Sequence, residues 1–465
     1  MTSAVVVGSG PNGLAAAIVL ARAGLDVTVL EAEDTIGGGM RSAEVTVPGL
    51  VHDLCSAAHP TGAASPFFES LDLEQHGLTW LRPEVEAVHL LDGGRGGVMH
   101  GDVETTALGL GRDADRWRKL FEPLVEKRER IVPEIFGPVL HVPKHPLDFA
   151  AFGARGAFSL NGLVRGWETD EARGLLAAFA AHVMAPMSQP STAGIAMMFG
   201  MLGQSVGWPV AKGGSQAVAD ALVSVLEGLG GRVETGHRVT AMPDADVVML
   251  DVTPHQALAL AGDRLPWHVR RSFGRWKRGP ASFKIDLAVE GGIPWTNEAA
   301  RRAGTLHLGG TVAEVDGAER AVVAGRMPER PFVLVCQQYL ADPGRSVGDV
   351  HPVWAYAHVP HAYPHDATEA VYRQLERFAP GFRDRVVAAS VLTPADLEQH
   401  NANYLGGDIT GGANTFGQTV FRPRLAMDPY KLTDRWWMCS SATPPGGGVH
   451  GMAGFNAATR AVRHL

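Results

Sequence analysis

Short runs of apolar residues separated by glycine turns dominate the pattern of this chain, and the first forty residues show it most densely. Val5 to Val7 form an apolar run, GSGPNG follows from Gly8 to Gly13, and LAAAIVLARAG continues to Gly24 with Leu14, Ile18 and Ala21 at helical spacing. DVTVLE then closes the unit at Glu31. The pattern predicts strand, glycine turn, helix and strand, the order of a dinucleotide-binding βαβ unit. Further on, Asp113 to Arg130 predicts a charged helix with Trp117, Leu120, Phe121 and Leu124 on one face. Gly213 and Gly214 precede a helix carrying Val218, Leu222, Val225 and Leu226, and a strand is expected around Arg232 to Val239. That strand returns the chain to the nucleotide-binding sheet, and Asp244 to Pro254 adds another buried strand. Strands at Ala281 to Val289, Phe332 to Gln337 and Val353 to His358, with a helix near Ala367 to Phe378, predict a sheet-based second domain. The chain closes with a strand at Trp436 to Cys439, a turn at Ser440 to Gly448 and a helix at Val449 to Val462.

Length and composition narrow the reading. A chain of 465 residues, 45% hydrophobic and 19% charged, can bury a large core and suits two globular domains. Its net charge of -8 argues against nucleic acid as the main partner. Cys55, Cys336 and Cys439 stand far apart, so neither a redox-active dithiol nor a structural zinc site has its ligands, and no metal is expected. MTSAVVV runs straight into a strand with no basic leader, so a cytoplasmic protein is expected. The most apolar stretch, Leu175 to Met201, is broken by His182, Pro186, Gln189 and Pro190 and does not read as a membrane span.

The residue types of the first unit have physical reasons. Gly8 allows a tight turn, Gly10 lets backbone approach a pyrophosphate, and Gly13 lets the helix pack close to the sheet. The helix start offers unpaired N–H groups and positive dipole to phosphates. Glu31 ends the second strand where a carboxylate can accept hydrogen bonds from ribose hydroxyls, and its charge disfavours a 2′-phosphate. Gly37 to Gly39 permit a second close approach, with Arg41 supplying a cation for the same pyrophosphate.

Other stretches leave alternatives open. His59 reads either as a loop histidine or as a proton-handling group. The segment 131–153, with Pro133, Pro138, Pro143 and Pro146 among large apolar residues, reads as the mouth of an apolar tunnel, as a membrane-resting surface or as a core-packed connection. Met184, Met187, Met197, Met198 and Met201 suit a long lipid-like substrate or plain core packing. The GLGG at Gly228 follows a helix and precedes a strand, the order of a turn. His358, His361 and His365 read as strand-end and loop histidines, without a carboxylate to complete a metal site. Asn401 to Ala413 is dense in glycine, which suits backbone passing close to a ligand with Asp408 nearby. The last helix can offer its N-terminal N–H groups and positive dipole to a bound ligand.

The motifs GSGPNGLAAA, IGGGMRS, HDLCSAAHP, WAYAHVP, LTPADLEQHNANYLGGDITGGA and CSSATPPGGGVHGMAG together resemble the phytoene desaturase-like branch of FAD-dependent oxidoreductases, within the amine oxidase superfamily. A closer likeness is to bacterial relatives of the pyridine nucleotide-disulfide oxidoreductase domain-containing protein 2 group, whose name promises a disulfide that these cysteines do not supply. The resemblance implies an α/β fold with a Rossmann-like, glutathione reductase-type FAD-binding domain from residues 1–75, 205–255 and 405–465. An inserted α+β substrate domain would take 76–204 and 256–404. It implies FAD held by Gly8, Gly10, Pro11, Asn12, Gly13, Glu31, Gly38, Gly39, Arg41, Val239, Ser441, Gly448, Val449 and Met452. Backbone near Val239 would meet the adenine, and Ser441 stands where many relatives carry an aspartate. The short link Thr240 to Ala245 replaces a longer β excursion of relatives. The expected reaction is hydride transfer from an apolar substrate, with polyenes and isoprenoids as the family's class, to FAD. His59, Asp408 and His450 are candidates for the proton step, and oxygen or a quinone is the expected electron acceptor. A flavin-dependent isomerase without net redox turnover and a non-catalytic flavoprotein binding module stay open, as does contact with a membrane surface.

Overall fold

The computed structural model describes residues 2–138 and 140–465. Five parallel strands form the first sheet, in the order Trp436–Met438, Val247–Leu250, Ser3–Val7, Asp26–Leu30 and Arg232–Glu234. Its central strand is the apolar run that opens the chain, and Ala4 and Val6 are fully buried there. Both faces are covered, as parallel strands require. Helices Pro11–Arg22, Gln216–Gly228 and Met452–Val462 pack on one face around Leu14, Ile18, Leu222 and Ala457. Helices Pro254–Ala261 and Trp267–Phe273 cover the other with Ala257, Val269 and Phe273. The fold is Rossmann-like α/β, with a sheet assembled from the beginning, middle and end of the chain.

Two glycines permit the tightest packing. A Cβ on Gly13 would lie 2.0 Å from the Gly8 carbonyl oxygen, and one on Gly454 would lie 1.8 Å from that of Asn12. The first and last helices therefore cross with backbone almost touching backbone, which places both of their N-termini beside the same loop.

A seven-stranded sheet forms the second layer, in the order Val386–Leu392, Ala281–Glu290, Val350–Val359, Val333–Cys336, Ala303–Leu308, Val85–Leu90 and Gly96–Met99. All neighbours are antiparallel except Ala303–Leu308 with Val85–Leu90. Period-two alternation gives its two faces different tasks. Phe283, Ile285, Val335 and Ala355 pack against Val371, Leu375 and Phe378 of helix Thr368–Phe378. The opposite face presents Lys284, Leu334, Cys336, Trp354 and Tyr356 to an internal cavity. Helices between Ala114 and Gly203 form a bundle beside this sheet, with Trp117, Leu120, Phe121 and Leu124 buried as the helical spacing predicted.

Three expected elements differ. The charged helix divides at Lys127 into Ala114–Glu126 and Arg128–Ile135. The strand expected to reach Val239 stops at Glu234, and residues 237–239 continue as irregular backbone along the cavity. The final helix begins at Met452 rather than Val449 because Gly451 turns into left-handed space at φ 66°. In the proline-rich segment, Ile131, Val132 and Phe136 are buried whereas Val142 and Leu147 are 93% and 85% exposed, so part of it packs on the core and part lies at the surface; its Val139 lies outside the described residues. Among the described residues no helix is long and apolar enough to cross a membrane.

Candidate functional site

A cavity of about 740 Å³ runs between the two sheets, from the glycine loop to the polar-and-aromatic face of the seven-stranded sheet. At the glycine-loop end, Gly8, Gly10, Pro11 and Asn12 line it at the start of helix Pro11–Arg22. Glu31 borders the same end, buried to 6% exposure. Its carboxylate accepts from the Ser9 backbone N–H at 2.9 Å and from that of Glu33 at 3.0 Å, with Arg41 Nη2 3.6 Å away. Arg41 is held by the carbonyls of Thr35 and His400, at 3.2 and 2.7 Å, which keeps its guanidinium at the wall. Gly38, Gly39, Val239, Ser441, Gly448 and Val449 complete the lining expected from the motifs. Gly13 and Met452 do not line it; they stand behind the wall, where Gly13 N–H donates to Asp251 Oδ2 at 2.9 Å.

Asp251 was not foreseen. It follows the strand Val247–Leu250 and borders the cavity, and burial, with the nearby charge of Glu31, raises its carboxyl to about 7 although Gly13 N–H opposes the shift. Protonation there lessens the repulsion that a carboxylate would exert on a neighbouring pyrophosphate. The available signal was its position at the carboxyl end of a parallel strand, where open α/β sheets bind ligands.

The other end of the cavity is apolar with a few polar groups. Met184, Met198, Ile195, Phe199, Trp208, Leu334, Trp354 and Tyr356 line it. Lys284, on the long strand Ala281–Glu290, is buried, pairs with Asp286 and has Nζ 5.8 Å from the Trp354 ring centre. His182 also borders this end, its Nε2 3.1 Å from His307 Nε2, and burial pushes it down to about 3, so it is neutral. Lys284 could have been found from the sequence: with Ser282 and Asp286 it makes one face of the strand polar, opposite apolar Phe283 and Ile285.

None of the three proton-step candidates reaches the cavity. His59 is buried against Trp80, with Nε2 2.8 Å from Ser215 Oγ, and burial lowers it to about 4. Asp408 is fully buried, and its oxygens accept from Gly279 N–H at 2.7 Å and from Thr410 N–H and Oγ1 at 2.9 and 2.8 Å, so it fastens a loop. His450 accepts from Met452 N–H through Nδ1 at 3.0 Å, rests against Phe136 and is lowered by burial to about 4. The physical reason is shared: each side chain is buried behind the cavity wall and makes its hydrogen bonds within the protein, although His59 Nδ1 has no partner. His358 is buried beside Glu319, with Nδ1 2.5 Å from its carboxylate, so this histidine does have an acidic partner. Among the described residues no group of three potential ligands could hold a metal ion. Cys55 and Cys336 line the cavity as free thiols, pushed by burial to about 11 and about 12, and neither is a ready thiolate.

The residues present fit a dinucleotide: a glycine loop at a helix start, a carboxylate at the end of the second strand, a fixed arginine, and Asn12 Oδ1 buried without a partner in the wall. With a second sheet roofing the cavity, they define a Rossmann-like dinucleotide-binding fold. The profile of the NAD(P)-binding Rossmann-like domain matches residues 6–72. Across its length the chain is similar to rat pyridine nucleotide-disulfide oxidoreductase domain-containing protein 2, 25% identical over 560 residues that cover 99% of this chain and 93% of the relative. A shorter stretch is 32% identical to a limonene dehydrogenase subunit of Castellaniella defragrans over 138 residues, 29% of this chain and 25% of that one. Among solved structures, putrescine oxidase superposes with a TM-score of 0.63 at 18% identity, covering 99% of this chain and 98% of that one. A putative protoporphyrinogen oxidase from Exiguobacterium gives 0.57 at 17%, with the same coverages. The similarity thus extends over the whole chain, and the fold is shared with these solved oxidases.

Proposed function

We propose that this chain is an FAD-dependent oxidoreductase that removes a hydride from a carbon of an apolar substrate. The observation that carries the reading is the continuity of the cavity: one space joins the dinucleotide loop to an apolar chamber under the seven-stranded sheet. FAD, when bound, would supply the ring that accepts the hydride, which carries both electrons, while the proton that balances the substrate's oxidation would leave to solvent. The chain's share is to bind, orient and exclude water. Gly8 to Asn12, Glu31, Gly38, Gly39 and Arg41 would hold the adenosine and pyrophosphate, with Val239 near the adenine. Ser441 and the turn Gly447 to Val449 would meet the ring side, where the last helix begins nearby. Met184, Met198, Phe199, Trp354 and Tyr356 would desolvate an apolar substrate.

The name of the limonene dehydrogenase relative lends support to a terpene-like or other isoprenoid substrate, and oxygen or a quinone would take the electrons. The exposed Val142 and Leu147 support contact of the 140–147 segment with an apolar surface such as a membrane. The test is anaerobic mixing of flavin-loaded protein with a panel of terpenes, polyenes and other apolar compounds. Bleaching of the flavin absorbance is the expected result. Protein that shows no flavin absorbance and takes up no added FAD ends the reading.

A further inference from the structure

Arg422 is a buried cation without a counterpart. Its residue is 3% exposed, no carboxylate stands within ion-pair distance among the described residues, and Nε and Nη2 have no hydrogen-bond acceptor. The side chain lines the cavity, and it also borders the outer groove made with Pro138, Leu140, Phe421 and Leu425. Asp408 supports its charge through space, yet that carboxylate is committed to Gly279 and Thr410. Trp276, whose ring centre lies 5.8 Å from the guanidinium carbon, leaves its own Nε1 without an acceptor. Burial lowers the guanidinium only to about 10, so it carries its charge at neutral pH.

An unpaired buried charge is strongly unfavourable unless an oppositely charged partner arrives. The negative charge of a dinucleotide has its own arginine, Arg41, with the glycine loop. Arg422 stands in the wall between that groove and the main cavity, and borders both. We propose that Arg422 is an anion receptor in the cavity wall and that it takes the carboxylate of an apolar acid, whose tail enters the chamber of Met184, Phe199 and Trp354. A guanidinium matches a carboxylate through charge-assisted N–H donors, and within the protein Nε and Nη2 of Arg422 have no acceptor. The proposal narrows the substrate class of the reading above, on which it rests for the use of the chamber.

The experiment titrates FAD-loaded protein with decanoate and with decanol, following calorimetry and the visible flavin spectrum at constant chloride. Decanoate is expected to bind at least tenfold more tightly than decanol. Arg422→Gln is expected to lose that preference while keeping its affinity for decanol, and Arg422→Lys to keep part of it. Equal affinity for the two probes in the wild type overturns the proposal, as does a decanoate preference that survives in Arg422→Gln. Folded Arg422→Gln that purifies without FAD assigns the anion to the cofactor and also overturns it. If Arg422→Gln does not fold, the wild-type comparison and Arg422→Lys still decide. Wild-type protein that never takes up FAD sinks the redox reading alone, because calorimetry with both probes on the flavin-free chain still tests Arg422.

Discussion

Asp251 and Glu31 show how much one side chain can govern this site. Asp251 titrates at about 7 in the folded chain, against an ordinary value near 4 in the unfolded one. The folded state therefore holds the proton more tightly. Its contribution to stability is complete below about pH 4 and is lost as pH rises through 7, a change of at most about 4 kcal/mol. Asp251→Asn is expected to flatten the fall in melting temperature between pH 5 and pH 8, measured by calorimetry; an unchanged slope would count against this assignment. At Glu31, replacement by Ala removes the acceptor that holds the Ser9 and Glu33 N–H groups. FAD affinity is expected to fall at least tenfold, read by fluorescence titration of flavin-free protein. The glycine loop and Glu31 were legible because their roles are local in sequence. His59, Asp408 and His450 were misread because Ser215 and Gly279, which occupy two of them, lie more than a hundred residues away, and because burial of the third is a tertiary fact.

Among elements, the strand Val51–Asp53 and the turn at Pro343–Arg345 are tied by a buried pair. Arg345 Nη1 lies 2.6 Å from Asp53 Oδ2, and Arg345 also reaches Asp342 and the Ala211 carbonyl. Burial pushes the Asp53 carboxyl up, but the Arg345 charge with hydrogen bonds from Ser215 and Ser42 outweighs it, and the net direction is down. Arg345→Ala leaves the buried Asp53 charge without its cation, though still hydrogen-bonded to Ser215 and Ser42, at a cost of about 3–5 kcal/mol in urea unfolding. The double variant Asp53→Asn, Arg345→Met is expected to recover part of that loss. Gly454→Val forces side-chain atoms into the Asn12 carbonyl and is expected to lower both melting temperature and flavin content. Helix and strand types were readable from period and turn chemistry, whereas helix ends depended on Gly451 and Lys127, whose backbone angles the pattern did not disclose.

For the whole molecule, the two-sheet plan was visible in the alternation of elements, including the return to the first sheet near residue 232. What stayed hidden was the pairing of Val85–Leu90 with Ala303–Leu308, because a parallel partner more than two hundred residues away leaves no local trace. That pairing joins the early strands to the roof of the cavity. A ligand filling the space between the layers binds only the folded chain, so FAD at a hundred times its dissociation constant is expected to raise stability by about 2.7 kcal/mol, seen as a higher melting temperature than that of flavin-stripped protein.

The parallel sheet sets a timetable for synthesis. Its edge strand, Trp436–Met438, and the helix that crosses the glycine loop leave the ribosome long after the strands they complete. The first βαβ unit emerges four hundred residues earlier and must wait with one flank of its sheet uncovered. Nascent chains arrested before Trp436 should therefore hold flavin poorly, and those released beyond Val462 should hold it well.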